Sequence, residues 1–367
     1  MTISTSHPAR WHFPTPHLDV QQFWNSVRRL GRFSHRLGID LGTSKTSIYS
    51  PERGIVLQEP SVVAMDKGTL EPVAFGTAAK ELIGRNPQEI AVIRPIRNGV
   101  VTEFELTEKM LQHFIQQAQG GRAVFRPRIT TGCAYGASTI ERLALMEVMT
   151  DAGARQVSLV DKSIAAAIGA GLPIDHPTGN LIVDVGGGTT EVAVVGLMGT
   201  VVGTTVCEAG DEMDQAIHDF LKAHHHLLIG ELRAESIKIK YGSAFANPEQ
   251  DSQQIDILGL DPVSGLCKSV TICRGDLRDA IAKPLTGIVG AVRRVLELTP
   301  PELISDIGDR GIMLTGGGAL LTGLDQLISH EVNLFVQVAS DPINGVAVGT
   351  GYMLENPVAH SKILATP

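Results

Sequence analysis

Two stretches of the chain carry the same order of chemistry-bearing residues. Asn180–Val195 (NLIVDVGGGTTEVAVV) runs from apolar residues to Asp184, then Gly186, Gly187 and Gly188, then Thr189 and Thr190, then a second apolar run. Leu37–Tyr49 (LGIDLGTSKTSIY) repeats the device with Asp40, Gly42 and the hydroxyl residues Thr43, Ser44 and Thr46. Glycines let a backbone come close to a ligand, and the N–H groups of such a turn form a cradle for anions. A carboxylate at the mouth can hold Mg²⁺, which takes few carboxylates and completes its shell with phosphate oxygens and water. The chemistry is that of a Mg-nucleotide phosphate site. An ordinary structural hairpin is the plain alternative for either stretch alone. Finding two copies weakens it and predicts an internal duplication, each half offering one hairpin to a phosphate between them.

The elements around these residues are hairpins. β-Branched residues follow both turns, which favours a returning strand. A P-loop needs G-x-x-x-x-G-K-[ST] opening a helix, and the dinucleotide fingerprint needs a helix after its glycines. Neither fits. Elsewhere, Gly54–Met65 reads as two strands broken at Pro60, and Thr77–Ile83 as a helix. Thr107–Gln119 is an amphipathic helix with Thr107 as N-cap, and Met110, Leu111, Phe114 and Ile115 fall at helical spacing. Ile129–Ala134 and Gln156–Val160 read as strands and Thr139–Asp151 as a helix. Asp161–Pro173 is a small-residue helix leading into the second hairpin. Gly210–Leu228 and Gly230–Tyr241 are helices with acids early and bases late, matching the helix dipole. Residues 247–273 read as a β-rich insertion and Asp276–Thr299 as a helix. Gly311–Leu324 is strand, glycine turn, helix, and Gly316, Gly317 and Gly318 make a third ligand loop, open enough to lie against a base and sugar. Asp341–Leu354 is a glycine-spaced helix.

The 367 residues suggest two large halves, and 43% hydrophobic with 19% charged residues is enough to bury a core. A net charge of -8 and 4% aromatic residues argue against nucleic acid as a partner. The four cysteines form no C-x-x-C pair and read as reduced thiols of a cytosolic protein. Residues 1–36 differ from the rest, holding five arginines against the single acid Asp19. Met1–Pro16 reads as a flexible tail. Beyond it, Val20–Arg36 forms a basic amphipathic helix with Phe23, Trp24, Val27 and Leu30 on one face. That helix suits an anionic membrane surface; packing on its own domain and an organelle transit peptide are the alternatives. No continuous apolar region marks a secretory signal. Arg122–Arg128 (RAVFRPR) sets Val124 and Phe125 among arginines, which suits a lipid headgroup layer, while spacing alone favours a buried Phe125.

DLGTSKT, DVGGGTTE and LTGGGALL together resemble the actin/Hsp70/sugar-kinase superfamily. TEKMLQHFI, AAAIGAGLP, GDEMDQAI, PLTGIV, PPELISDI and RGIMLTGGGALLTGLD narrow the resemblance to the bacterial actins of the MreB and Mbl type, from about Leu37 to Leu354. The resemblance implies an α/β actin-like fold of two duplicated domains, hence four subdomains, around a nucleotide cleft. The expected division is a tail and helix over 1–36, domain I over 37–170 with a smaller subdomain near 64–105, domain II over 171–347 with a smaller subdomain near 212–279, and a return to domain I over 348–367. ATP and Mg²⁺ are the implied cofactors. Gly42, Thr43, Ser44 and Lys45 would form one phosphate loop, and Gly186, Gly187, Gly188 and Thr189 the other, with Thr189 also in the catalytic set. Asp40 and Asp184 would serve the metal. Glu235 and Lys238 would flank ribose and base across from Gly316, Gly317 and Gly318. Val124 and Phe125 match a membrane-insertion loop. The implied partners are further copies in a filament, the anionic inner face of the cell membrane, and cell-wall synthesis proteins.

Where the resembled family usually has Glu-Glu-Pro, this chain has Asp161, Lys162 and Ser163. The second Glu positions the attacking water there. An ammonium has no lone pair with which to do so, and losing a general base typically costs about 10²–10⁴-fold. The expectation is nucleotide binding with weakened hydrolysis, Lys162 pairing with the γ-phosphate. Lys45, where the family often has Asn, adds a second cation. A non-polymerising pseudo-ATPase regulator and an active ATPase of the same superfamily are the other readings. A sugar kinase would need a catalytic Asp and a sugar pocket, and no motif for one is found.

Overall fold

The computed structural model describes residues 36–121 and 126–355. The membrane expectations at Phe23, Trp24, Val27, Leu30, Val124 and Phe125 lie outside these residues. Two five-stranded sheets carry the fold, and they share one topology. In the first, Arg36–Leu41 pairs antiparallel with Lys45–Ser50, which pairs antiparallel with Gly54–Pro60. On its other side Arg36–Leu41 pairs parallel with Arg128–Cys133, and that strand with Gln156–Asp161. In the second, Asn180–Val185, Thr190–Gly196 and Gly199–Val206 form the antiparallel part, and Ile312–Thr315 and Val336–Val338 the parallel part. Both glycine stretches are therefore the first hairpin of their sheet. Helices repeat in step. Phe104–Ala118 and Ala282–Leu298 precede the fourth strand, and Thr139–Asp151 and Leu324–Val332 join the fourth to the fifth. The result is an actin-like fold in two duplicated halves.

The insertions between third and fourth strands differ. The first half inserts the small sheet Val63–Asp66, Pro72–Phe75 and Ile90–Ile93. The second inserts Gly210–His225, Glu231–Tyr241 and the hairpin Gln254–Leu260/Cys267–Cys273. Each sheet packs its own core. Leu37, Ile39 and Ile48 pack with Met110 and Phe114, and Leu181, Val183 and Val192 with Ile217 and Ile288.

The helix after each fifth strand crosses to the other half. Gly345–Glu355 follows the second sheet yet packs on the strands of the first, and Lys162–Gly169 follows the first yet packs on Asn180–Val185 and Thr190–Gly196. Ile164, Ala165 and Ala166 share a buried cluster with Ile182, Ala193, Val346 and Met353. The two crossing helices meet backbone to backbone: a Cβ on Gly349 would lie 1.8 Å from the Ala165 carbonyl oxygen, and one on Gly169 equally close to that of Gly345.

Three helix expectations shift, and one helix was not expected. The helix expected from Thr107 begins at Phe104 with Glu103 as N-cap. Thr107 is buried inside it and donates its hydroxyl to the Glu103 carbonyl, because the apolar stripe extends back to Leu106. The helix expected over Asp161–Pro173 spans Lys162–Gly169, Asp161 ending its strand. Asp276–Thr299 divides into Arg274–Ala280 and Ala282–Leu298, since Pro284 lacks an N–H and its ring opposes the carbonyl four residues back. A helix at Pro301–Arg310 was not read from the sequence.

The backbone contact between the crossing helices sets a test. Gly349→Ala is expected to lose about 1–3 kcal/mol of unfolding free energy through overpacking. Gly290→Ala, in a helix with open space at its Cβ, is expected to gain up to about 1 kcal/mol. Urea denaturation of both variants checks the pair.

Candidate functional site

The two glycine turns close in the same way. Gly42 N–H donates to the Lys45 carbonyl at 3.1 Å, and Gly186 N–H to the Thr189 carbonyl at 2.9 Å. Each turn is held from behind through its carbonyls. Ser61 donates its hydroxyl to Gly42 O and its N–H to Ser44 O. The first N–H groups of helix Gly210–His225 donate to Gly186 O (3.1 Å) and Gly187 O (2.8 Å). A planar peptide points its N–H opposite its C=O. The bonds to Gly42, Gly186 and Gly187 carbonyls thus turn the N–H groups of Thr43, Gly187 and Gly188 away from the scaffold, toward the cleft these residues line.

The turns touch. A Cβ on Gly187 would lie 2.5 Å from Ser44 Cβ, and one on Gly188 2.6 Å from Thr43 Oγ1. Thr43 also accepts from Gly99 N–H at 2.9 Å, which draws a third loop to the junction. A cleft of about 610 Å³ opens beside this contact. It is lined by every cofactor, metal and catalytic residue expected from the sequence, from Asp40 and Gly42–Lys45 through Lys162, Asp184 and Gly186–Thr189 to Glu235, Lys238 and Gly316–Gly318.

Charge at the cleft floor is arranged around Lys162. Its Nζ lies 3.8 Å from Asp40 Oδ1 and 3.6 Å from Asp184 Oδ2. Burial works against the ammonium, but Asp40, Asp184 and Glu191 outweigh it and hold its pKa above the ordinary lysine value. The expected pairing of Lys162 with phosphate therefore starts from an ammonium already shared by two carboxylates. Lys45 is the freer cation. Its Nζ is buried without a hydrogen-bond partner, and burial lowers its pKa against the pull of Asp40 and Asp341. Asp161 does not stand in for a missing Glu, since its carboxylate turns to Arg142 at 3.2 Å and Thr200 at 3.4 Å.

Glu235 and Lys238 line the cleft but are already engaged. Lys238 donates to Gly210 O and Asp214 Oδ2, both at 2.8 Å, and Glu235 pairs with Lys80 across the cleft at 2.7 Å. Arg94 and Glu231 form a second ion pair across the mouth. Sequence reasoning missed Lys80, Arg94 and Glu231, since nothing local in the chain joins residues 137 or 155 positions apart.

It also missed Glu191. This carboxylate lines the cleft, is almost fully buried, and faces Asp184 directly across the hairpin. The signal was available: folding DVGGGTTE about its turn sets the acid of the second strand opposite Asp184. Neither carboxylate oxygen gains a full hydrogen bond. Burial pushes the pKa from its ordinary 4.5 up to about 8, against the pull of Lys162 and the Tyr135 N–H.

The chain is similar to a known family and to solved structures of the same fold. The family described as MreB/Mbl protein matches residues 34–362. The cell shape-determining protein Mbl of Bacillus subtilis is 43% identical over 324 residues, 88% of this chain and 97% of that protein. The cell shape-determining protein MreB of Escherichia coli K12 is 46% identical over 330 residues, 89% of this chain and 94% of that protein. A crystal structure of MreB5 of Spiroplasma citri bound to ADP and one bound to AMPPNP each share 31% identity, with TM-scores of 0.83 and 0.84, and each covers 90% of this chain and 98% of theirs. The double helical filament of MamK, 21% identical with a TM-score of 0.74, shares the fold.

The buried Glu191 gives the apoprotein a pH dependence. Between about pH 4.5 and 8 the folded chain keeps its proton while the unfolded chain has released it, so stability falls as pH rises through that window and levels off above it. The loss is at most about 1.4 kcal/mol per pH unit. Glu191→Gln is expected to match the parent at pH 5 and exceed it above pH 8, read by urea denaturation across that range.

Proposed function

Since the chain belongs to the MreB/Mbl family, we propose that it is a nucleotide-binding, actin-like cytoskeletal protein with a role in cell shape. One observation carries the nucleotide part: two glycine turns, one from each sheet, meet at a cleft into which the unpartnered Lys45 ammonium is also built. An orphaned buried cation and two turns that no side chain could enter fit a polyphosphate. Gly42–Lys45 and Gly186–Thr189 hold the phosphates, and Glu235, Lys238 and Gly316–Gly318 hold the base and sugar. Glu235 reaches that role by leaving Lys80.

Self-assembly into filaments follows the actin-like fold. We place the filaments at the inner face of the cell membrane, in contact with cell-wall synthesis proteins. Phe23, Trp24, Val27 and Leu30, spaced at helical intervals in an arginine-rich stretch of the sequence, and Val124 with Phe125 among arginines, are the chemistry that supports membrane contact. Among the described residues no helix is long and apolar enough to cross a membrane. In the proposed domain division, 37–170 and 171–347 are the two halves, and of the expected return over 348–367 the described part, 348–355, packs on the first.

Hydrolysis is weakened. Water at the phosphate needs a group that accepts its proton, and an ammonium has no lone pair to offer. Lys162 supplies positive charge instead, and Asp161 is turned away to Arg142.

Pelleting and electron microscopy with ATP are expected to show filaments, and dispersed protein in both assays would sink the cytoskeletal reading. Single-turnover phosphate release is expected to be slow, with Lys162→Glu raising it by about 10²-fold or more. No gain would refute the assignment of that position. Removing residues 1–36 together with Phe125→Ser is expected to reduce co-sedimentation with anionic liposomes, and unchanged co-sedimentation would refute the membrane contact.

A further inference from the structure

Asp40 and Asp184 are the carboxylates that the family resemblance assigns to Mg²⁺, and the structure bears on whether they suit it. Mg²⁺ binds oxygens at about 2.0–2.1 Å in a near-ideal octahedron and draws on one or two carboxylates beside phosphate. Here the space between the two carboxylates belongs to the Lys162 ammonium, 3.8 Å from one and 3.6 Å from the other. A metal ion ligated by either would stand within a few ångströms of a fixed positive charge.

The lysine has little freedom to withdraw. Lys162 opens helix Lys162–Gly169, one of the two that cross between the halves, so its backbone is set by the interdomain core. Its stem runs beside Gly132, where a Cβ would meet Lys162 Cγ at 3.3 Å and Val346 Cγ1 at the same distance. Its side chain is only 16% exposed. The residues present do not fit the ion well.

We propose that the Lys162 ammonium occupies the place of the divalent cation, so that this chain binds a nucleoside di- or triphosphate without needing a metal. The inference rests on the nucleotide reading above. Lys162 offsets the two floor carboxylates, and Lys45, unpartnered in the lining of the same cleft, is left to meet the phosphates. Replacing Lys162 by Glu changes the floor by two charges, the charge of one divalent ion. That single substitution should therefore restore a demand for metal.

Isothermal titration calorimetry with ATP tests this on the full chain, once with excess Mg²⁺ and once with EDTA. The expected dissociation constants differ by less than about threefold. In Lys162→Glu, EDTA is expected to weaken binding by about tenfold or more relative to Mg²⁺. Mn²⁺ binding without nucleotide, followed by electron paramagnetic resonance, is expected in Lys162→Glu and absent in the parent. If Mg²⁺ tightens ATP binding to the parent by about tenfold or more, the inference is overturned while the nucleotide reading stands. If the parent binds ATP in neither buffer, the nucleotide reading fails and takes the inference with it. The parent's own two titrations decide the matter should Lys162→Glu not fold. Lys162→Met, which removes charge without adding any, is expected to lose ATP affinity in EDTA, and unchanged affinity would overturn the proposal.

Discussion

Three carboxylates, Asp40, Asp184 and Glu191, meet at the floor of one cleft, and the structure around them is arranged by the need to offset their charge. Removing a carboxylate from water without a partner is costly. Lys162 is the common answer to all three, since its ammonium lies near Asp40 and Asp184 and lowers the pKa of Glu191. One lysine cannot balance three acids. Burial raises the pKa of both Asp184 and Glu191, the latter to about 8, and the neighbouring acids add to it. The floor thus keeps its one cation, Lys162, and holds a proton on Glu191. That balance belongs to the side chains, whereas the glycines of the turns beside it meet the cleft through backbone alone.

That floor exists only because the two halves are locked in register. Each sheet contributes one aspartate from the first strand of its hairpin, and neither aspartate would be near the other if the halves moved independently. The crossing helices Lys162–Gly169 and Gly345–Glu355 prevent this. Each is the last helix of one half lying on the sheet of the other, so the interdomain core is continuous with both. Backbone contact at Gly169 and Gly349 brings them closer than side chains would permit. The residue that offsets the floor is the first residue of one of these helices. Folding the interface and positioning the ammonium are a single event.

The hairpins, the duplication and the cleft-lining glycines were legible in the sequence because they depend on local patterns: an apolar run, an acid, glycines, hydroxyls, then β-branched residues. The identical bonds Gly42–Lys45 and Gly186–Thr189 are the structural form of that repeat. Helix ends were less legible. The start at Phe104 is set by what Leu106 packs against, and the break at Ile281 by a proline three residues on. Glu191 was readable in principle, since a hairpin's register follows from its turn, but it sits in a strand that otherwise reads as plain core. The pairs Lys80–Glu235 and Arg94–Glu231 had no local signature. They arise where the two insertions, unlike each other in sequence and fold, face across the cleft.

The contacts across the cleft differ in strength from floor to mouth, and the difference indicates which end opens. At the floor the halves are joined by a buried apolar cluster and by helices in backbone contact, where even one misplaced methyl group costs about 1–3 kcal/mol. At the mouth they are joined by two ion pairs whose side chains remain 20–50% exposed. Such pairs are worth about 0–1 kcal/mol each and weaken further in salt. A disturbance of the cleft is therefore expected to break the mouth pairs before the floor contacts. In the proposed nucleotide reading, a ligand that takes Glu235 away from Lys80 breaks a partly exposed pair and so acts at little energetic cost.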